Sequence, residues 1–105
     1  MIVKSDGRRE QYDRQKLLNG IRIACAKRPI AMADVDRLVD RVEEQVMSMG
    51  RSEVRSDIIG EAVLRELKDI DLVAYIRFAT VYLELKDLNA VRHEIDKLLT
   101  SASGR

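Results

Sequence analysis

Five cations crowd the opening segment MIVKSDGRREQYDRQKLL: Lys4, Arg8, Arg9, Arg14 and Lys16, with Glu10 and Asp13 among them. Arg14 and Lys16 fall in what reads as the first turn of a helix, where the helix dipole opposes positive charge. A bound anion reverses that sign. Free amides at a helix start, Lys16 and a strand lysine such as Lys4 can together hold a phosphate without a glycine-rich loop. Glu10 and Asp13 can steady the lysines or accept hydrogen bonds from a ribose or base. The same residues also read as a solvated surface laced with salt bridges, and by themselves they leave both readings open.

No catalytic constellation accompanies them. The chain has neither a G-x-x-x-x-G-K-[ST] loop nor a G-x-G-x-x-G fingerprint. The single histidine, His93, lies in a charged helical stretch and reads as solvated. The single cysteine, Cys25, falls beside an apolar helical face and reads as a small core residue. One of each is too few for a zinc cluster, and a lone cysteine cannot close a disulfide within the chain. We expect no catalytic residue, no metal ligand and no zinc, hence no enzyme.

The elements that must position the cations follow from the pattern. IVKS and RREQY flank Asp6-Gly7, a strong hairpin signal because Gly accepts positive φ. Asp13 reads as the N-cap of a first helix bearing Leu17, Leu18, Ile21, Ala24 and Cys25 at helical spacing and running to about Lys27, where Arg28-Pro29 stops it. A second helix is expected over 32–49, with Val35, Leu38, Val39, Val42, Val46 and Met49 on one face and Gly50 past its end. SEVRS reads as extended and able to add a third strand before Ser56 caps a third helix. That helix offers Ile59, Ala62, Val63, Leu67 and Ile70 to a core, with Gly60 a weak spot or a place of close approach. DLVAYIRFATVYLEL is apolar on most sides and is expected to touch neighbours around its circumference. Leu88, Val91, Ile95, Leu98 and Leu99 continue a narrower stripe, which suits an extension of the fourth helix or a separate helix docked on a partner, and SASGR reads as a frayed end.

Composition agrees with one mainly helical domain. Of 105 residues, 46% are hydrophobic, 35% charged and 4% aromatic, which describes an aliphatic core under a charged skin. The net charge of +1 gives no global field toward nucleic acid or membrane, so any anion site is local. A nucleic-acid surface built on Arg8, Arg9, Arg14 and Lys16 is accordingly a minor reading. No apolar run approaches the ~20 residues of a membrane span. A cytoplasmic chain that contacts no membrane is expected.

The opening run V-K-S-D-G-R-R-E-x-Y-D-x-x-K-L resembles the ATP-cone, a regulatory nucleotide-binding module of ribonucleotide reductases and of the NrdR repressors. KRP at 27–29, E-V-R-S-D-I-I-G at 53–60 and V-A-Y-I-R-F-A-T-V-Y at 73–82 are similar to the repressor branch. The resemblance implies a mainly α (α+β) fold, a four-helix bundle capped by an N-terminal β-hairpin or small three-stranded sheet. It implies a cone over 1–88 and a helical extension with a frayed tail over 89–105. By position it implies that Ile2 flanks the base or sugar, that Lys4 and Lys16 bind phosphate, and that Glu10 anchors polar ligand groups. Asp13 would sit at the helix start, Arg55 and Ile59 would approach the nucleotide from the third helix, and Tyr82 would do so from the fourth.

The implied ligand is ATP or dATP, with Mg2+ as its companion ion and without hydrolysis. The implied role is allosteric control of ribonucleotide reductase expression or activity through a nucleotide-dependent homo-oligomer. Ser5 departs from the arginine that reductase cones often place there, and Arg8 or Arg9 stands near enough to replace it. The repressors' zinc ribbon is not expected in this chain, so DNA recognition is expected only where such a ribbon or a partner supplies it. The alternative is a helical oligomerisation or adaptor module whose nucleotide site is silent.

Overall fold

In the computed structural model the chain is described over residues 1–4, 6–83 and 85–103, with side chains described as far as Thr100. Ser5, Glu84, Gly104 and Arg105 therefore lie outside the described residues, and with them the departure at Ser5, one position of the segment DLVAYIRFATVYLEL and the last two positions of the tail. The order of elements is β1 (Ile2–Val3), β2 (Arg9–Glu10), α1 (Arg14–Ala24), α2 (Met32–Met47), β3 (Val54–Arg55), α3 (Ser56–Ile70), α4 (Leu72–Tyr82) and α5 (Leu88–Ser103).

The expected hairpin forms. Gly7 adopts φ 88°, and Lys4 N–H donates to Arg8 O across 2.7 Å to close it. β1 is central in the order β2-β1-β3, antiparallel to β2 and parallel to β3. Ile2 stands opposite Glu10 and Val54, while Val3 stands opposite Arg9 and Arg55. Because side chains alternate along a strand, this register puts Ile2, Glu10 and Val54 on one face and Val3, Arg9 and Arg55 on the other. Val54 is buried and Arg55 exposed, as that alternation requires.

Beneath the sheet, Ile21, Leu38, Val39, Val42, Val63 and Leu67 are the largest fully buried side chains, joining α1, α2 and α3 in one core. At roughly 1.5–3 kcal/mol for each fully buried aliphatic side chain, this cluster is the main stabilising term of the fold. The helices end where local chemistry ends them. α1 stops at Ala24 instead of near Lys27, because the chain turns through Lys27 in the left-handed region at φ 61° and Arg28 N–H returns to Cys25 O. α2 stops at Met47, leaving Met49 outside the helix and 40% exposed.

Ser56 is not the cap of α3 but its first helical residue. β3 runs directly into the helix, so the extended position that precedes it belongs to Arg55, with no side-chain cap.

The fourth helix departs most from expectation. α4 packs on α1, α3 and α5, and it buries Ala74 and Ala79 completely. It is not enclosed, however: Leu72, Val73 and Val81 are exposed, Val81 by 79%. α5 is a separate helix, docked on α4 through Leu98 and Glu94, and it continues through Ser103 across the first three residues of the segment read as frayed.

Two arginine clamps fix α4 against the end of α1. Arg28 Nε donates to both oxygens of Asp71, at 3.2 and 2.9 Å, while the same carboxylate accepts from Ala74 N–H as the N-cap of α4. Arg77 donates to the carbonyls of Ala24 and Ala26 where α1 runs out of amide partners. No helix among the described residues is long and apolar enough to cross a membrane.

Candidate functional site

A cavity of about 1330 Å³ opens between the inner face of the sheet, α1, the start of α3 and the second half of α4. Ile2, Lys4, Glu10, Asp13, Lys16, Ile59 and Tyr82 all line it. The hairpin and the register explain the first three. Lys4 continues the alternation from Ile2, and Glu10 pairs with Ile2, so all three face the helices.

Glu10 stands between the two lysines. Its Oε2 lies 3.7 Å from Lys4 Nζ and 3.6 Å from Lys16 Nζ, while Oε1 lies 3.8 Å from Arg8 Nη1. Two ammonium groups thus converge on one carboxylate oxygen at the cavity wall. An anionic group that enters here exchanges one carboxylate for several phosphate oxygens, which suits lysines acting as point charges.

The helix start has Asp13 as its N-cap, as expected, and that cap bears on the anion reading. Asp13 Oδ1 accepts from Gln15 N–H at 3.0 Å and Lys16 N–H at 3.3 Å, so the amides that looked free for a phosphate are already engaged. An anion entering here would meet the lysine side chains before any helix amide. Arg14 is also accounted for: its guanidinium turns to Asp40 and Glu43 on α2. Tyr12, at the cavity edge, donates its hydroxyl to Glu43 Oε2 at 2.7 Å; burial and the Glu43 charge push its phenol well above the ordinary range.

Arg55 stands outside the lining. Its position on the outer sheet face follows from the pairing with Val3, and its guanidinium binds Asp57 Oδ2 at 2.5 Å. Arg9, on the same outer face, pairs with Glu53 and so cannot reach the ammonium cluster. Arg8, through Glu10, can.

The far wall was only partly foreseen. Phe78 and Tyr82 stack with ring centroids 5.9 Å apart, and the Tyr82 ring presses on the backbone of Gly60. Burial, together with the charges of Asp57 and Glu61, pushes the Tyr82 phenol up to about 12, so it stays protonated as a donor. Asp57, Gly20, Ile23 and Arg77 also line the cavity without having been singled out as site residues. Gly20 carried a signal: glycine inside a helix costs about 1 kcal/mol against alanine, and here its bare surface faces open space.

Cys25 is buried, and desolvation followed by the nearby Asp71 charge raises its thiol pKa; His93 is exposed on α5. Among the described residues no group of three or more His, Cys, Asp or Glu could hold a metal ion.

A family model described as the ATP cone domain matches residues 1–88. The chain is also similar to curated proteins named transcriptional repressor NrdR. That of Petrotoga mobilis is 50% identical over 100 residues, covering 95% of this chain and 67% of the relative. That of Thermomicrobium roseum is 53% identical over 98 residues, covering 93% and 61%, and that of Chloroflexus aggregans is 48% identical over 99 residues, covering 94% and 57%. This chain therefore spans between 57% and 67% of the length of these three relatives.

Proposed function

Because this chain belongs to the ATP cone domain family, we propose that it is a non-catalytic sensor of adenine nucleotides that regulates ribonucleotide reductase, most directly at the level of gene expression. The observation that carries this reading is the convergence of Lys4 and Lys16 on Glu10 at the wall of a cavity floored by Ile2 and Ile59. Cations at one end and apolar and aromatic surface at the other suit a triphosphate joined to a base. The site would comprise Ile2, Lys4, Glu10, Asp13, Lys16, Ile59 and Tyr82, with Arg55 acting through Asp57. Mg2+ would arrive with the triphosphate.

The sensing unit would span 1–88, with 89–105 as its helical extension and tail. Regulation requires the nucleotide to bind one assembly more tightly than another, because a ligand bound equally by both shifts nothing. A homo-oligomer whose size depends on the nucleotide meets that requirement, in the cytoplasm where ATP and dATP compete. Contact with DNA would come from the additional length that the relatives possess.

Calorimetric titration and light scattering of the purified chain with no ligand, ATP and dATP test the reading. We expect binding of both nucleotides and a mass that differs between them. A chain that gives neither heat nor thermal shift at millimolar nucleotide would instead be a helical adaptor with a silent site, a reading favoured by the internal pairing of Glu10 and Asp13.

A further inference from the structure

Two polar atoms at the α3–α4 side of this cavity have no partner among the described residues. They are Asp57 Oδ1 and the Tyr82 hydroxyl, both closed off from solvent, and both residues line the cavity. The Asp57 side chain is 43% exposed and its other oxygen binds Arg55, which leaves the enclosed Oδ1 as a free acceptor. Tyr82 is stacked on Phe78 and seated on Gly60. An unsatisfied buried polar group is costly, and more so when it is charged. A fold that holds two of them, one donor and one acceptor, at the wall of one cavity has a use for the pair.

We propose that Asp57 and Tyr82 form the selectivity pair of the nucleotide site, with Asp57 Oδ1 accepting a hydrogen bond from the ligand and the Tyr82 hydroxyl donating one to it. The inference rests on the sensor reading above and adds to it the residues that read the ligand's identity. The required ligand group both donates and accepts. Two parts of an adenine nucleotide have this chemistry: a sugar hydroxyl, through one oxygen, and the base edge, through its amino group and a ring nitrogen. Selectivity follows because a ligand lacking the group leaves both protein atoms desolvated and unpaired, a stronger discrimination than apolar contact supplies. Arg55 is then a positioning residue that acts through Asp57, and Gly60 is the seat that keeps the phenol in place.

Tyr82→Phe and Asp57→Asn test the pair, titrated calorimetrically beside the wild-type chain with ATP, dATP, 3′-deoxy-ATP and ITP. Each variant is expected to lose roughly tenfold in ATP affinity, the size of one good hydrogen bond. If a sugar hydroxyl is the group read, the loss disappears for the deoxy analogue that lacks it. If the base edge is read, the loss disappears for ITP, which lacks the amino group. Affinities within twofold of wild type for ATP, or equal losses for all four ligands, overturn the proposal.

A second readout is independent of binding. Tyr82→Phe removes a buried hydroxyl without a partner, so the variant without nucleotide is expected to melt at or above the wild-type temperature; a clear drop shows that the hydroxyl is used within the protein and overturns the proposal. A wild-type chain that binds none of the four nucleotides defeats the sensor reading and this inference together, whereas normal wild-type binding with unaltered variants defeats the inference alone.

Discussion

The Tyr82 ring lies across Gly60 so closely that a β-carbon there would stand 1.9 Å from Tyr82 Cε1. α3 and α4 therefore approach at a point where only a glycine leaves room, and the cavity wall depends on that contact. Gly60→Ala is expected to displace the Tyr82 ring and to destabilise the fold by about 1–3 kcal/mol, as overpacking does, despite alanine's better helix propensity. Chemical denaturation gives the stability, and calorimetry is expected to show weakened ATP binding in the same variant. A stability equal to or above wild type would mean that the ring moves aside freely.

Lys4→Ala and Lys16→Ala are each expected to weaken ATP binding by roughly tenfold or more while changing adenosine binding little, because the charge-assisted contacts go to phosphate. Raising the salt concentration should narrow the difference between each variant and wild type. Calorimetry with ATP and adenosine checks this. Equal losses for both ligands would place the lysines at the nucleoside instead.

Asp71 caps α4 and binds Arg28, and its carboxyl is held below the usual carboxylate range, first by the Ala74 amide and then by Arg28, against the opposing effect of burial. A carboxylate whose pKa is lower in the folded than in the unfolded chain contributes stability that is complete above the unfolded value, near 3.8, and is lost as pH falls toward the folded value. Asp71→Ala is expected to cost about 1–2 kcal/mol at neutral pH from the cap alone. The gap between wild type and variant should shrink in denaturant titrations as pH is lowered below about 4.

Arg77 ties α4 to the two carbonyls at the end of α1, at 3.3 Å for Ala24 and 2.7 Å for Ala26. Arg77→Met keeps the aliphatic stem and removes both bonds, and a loss of about 1–3 kcal/mol is expected in denaturant unfolding, the range for bonds from a charged donor. A stability unchanged within error would show that solvent replaces the guanidinium there.

Val81 is apolar but 79% exposed, at the rim of the cavity. Val81→Ser is expected to change the unfolding free energy of the isolated chain by less than about 0.5 kcal/mol, as surface substitutions do. A larger loss would mean that this position is buried in solution.

Much of the molecule was written in local sequence. Asp6-Gly7 determined the hairpin, Asp13 the start of α1, and the spacing of Val35, Leu38, Val39 and Val42 the buried face of α2, because turns, caps and helical periodicity act over a few residues. The cluster of Lys4, Glu10 and Lys16 was visible as a group of charges, for which the resemblance implied a phosphate site. What local sequence left open was which charges pair with which. Arg14 and Arg9 look equivalent to the lysines in the sequence, yet α2 and Glu53 engage them.

Three features belonged to the tertiary structure alone. The parity of β3 against β1 turned Arg55 away from the cavity, a one-residue matter of register that no propensity encodes. The apolar breadth of α4 suggested enclosure, but the number of neighbouring helices is a property of the whole packing, and here it leaves Val81 outside. Asp57 and Tyr82, far apart in sequence, line one cavity because α3 and α4 pack closely at Gly60. Side-chain chemistry and local backbone preference are fixed residue by residue; proximity across the fold is decided only when the core closes.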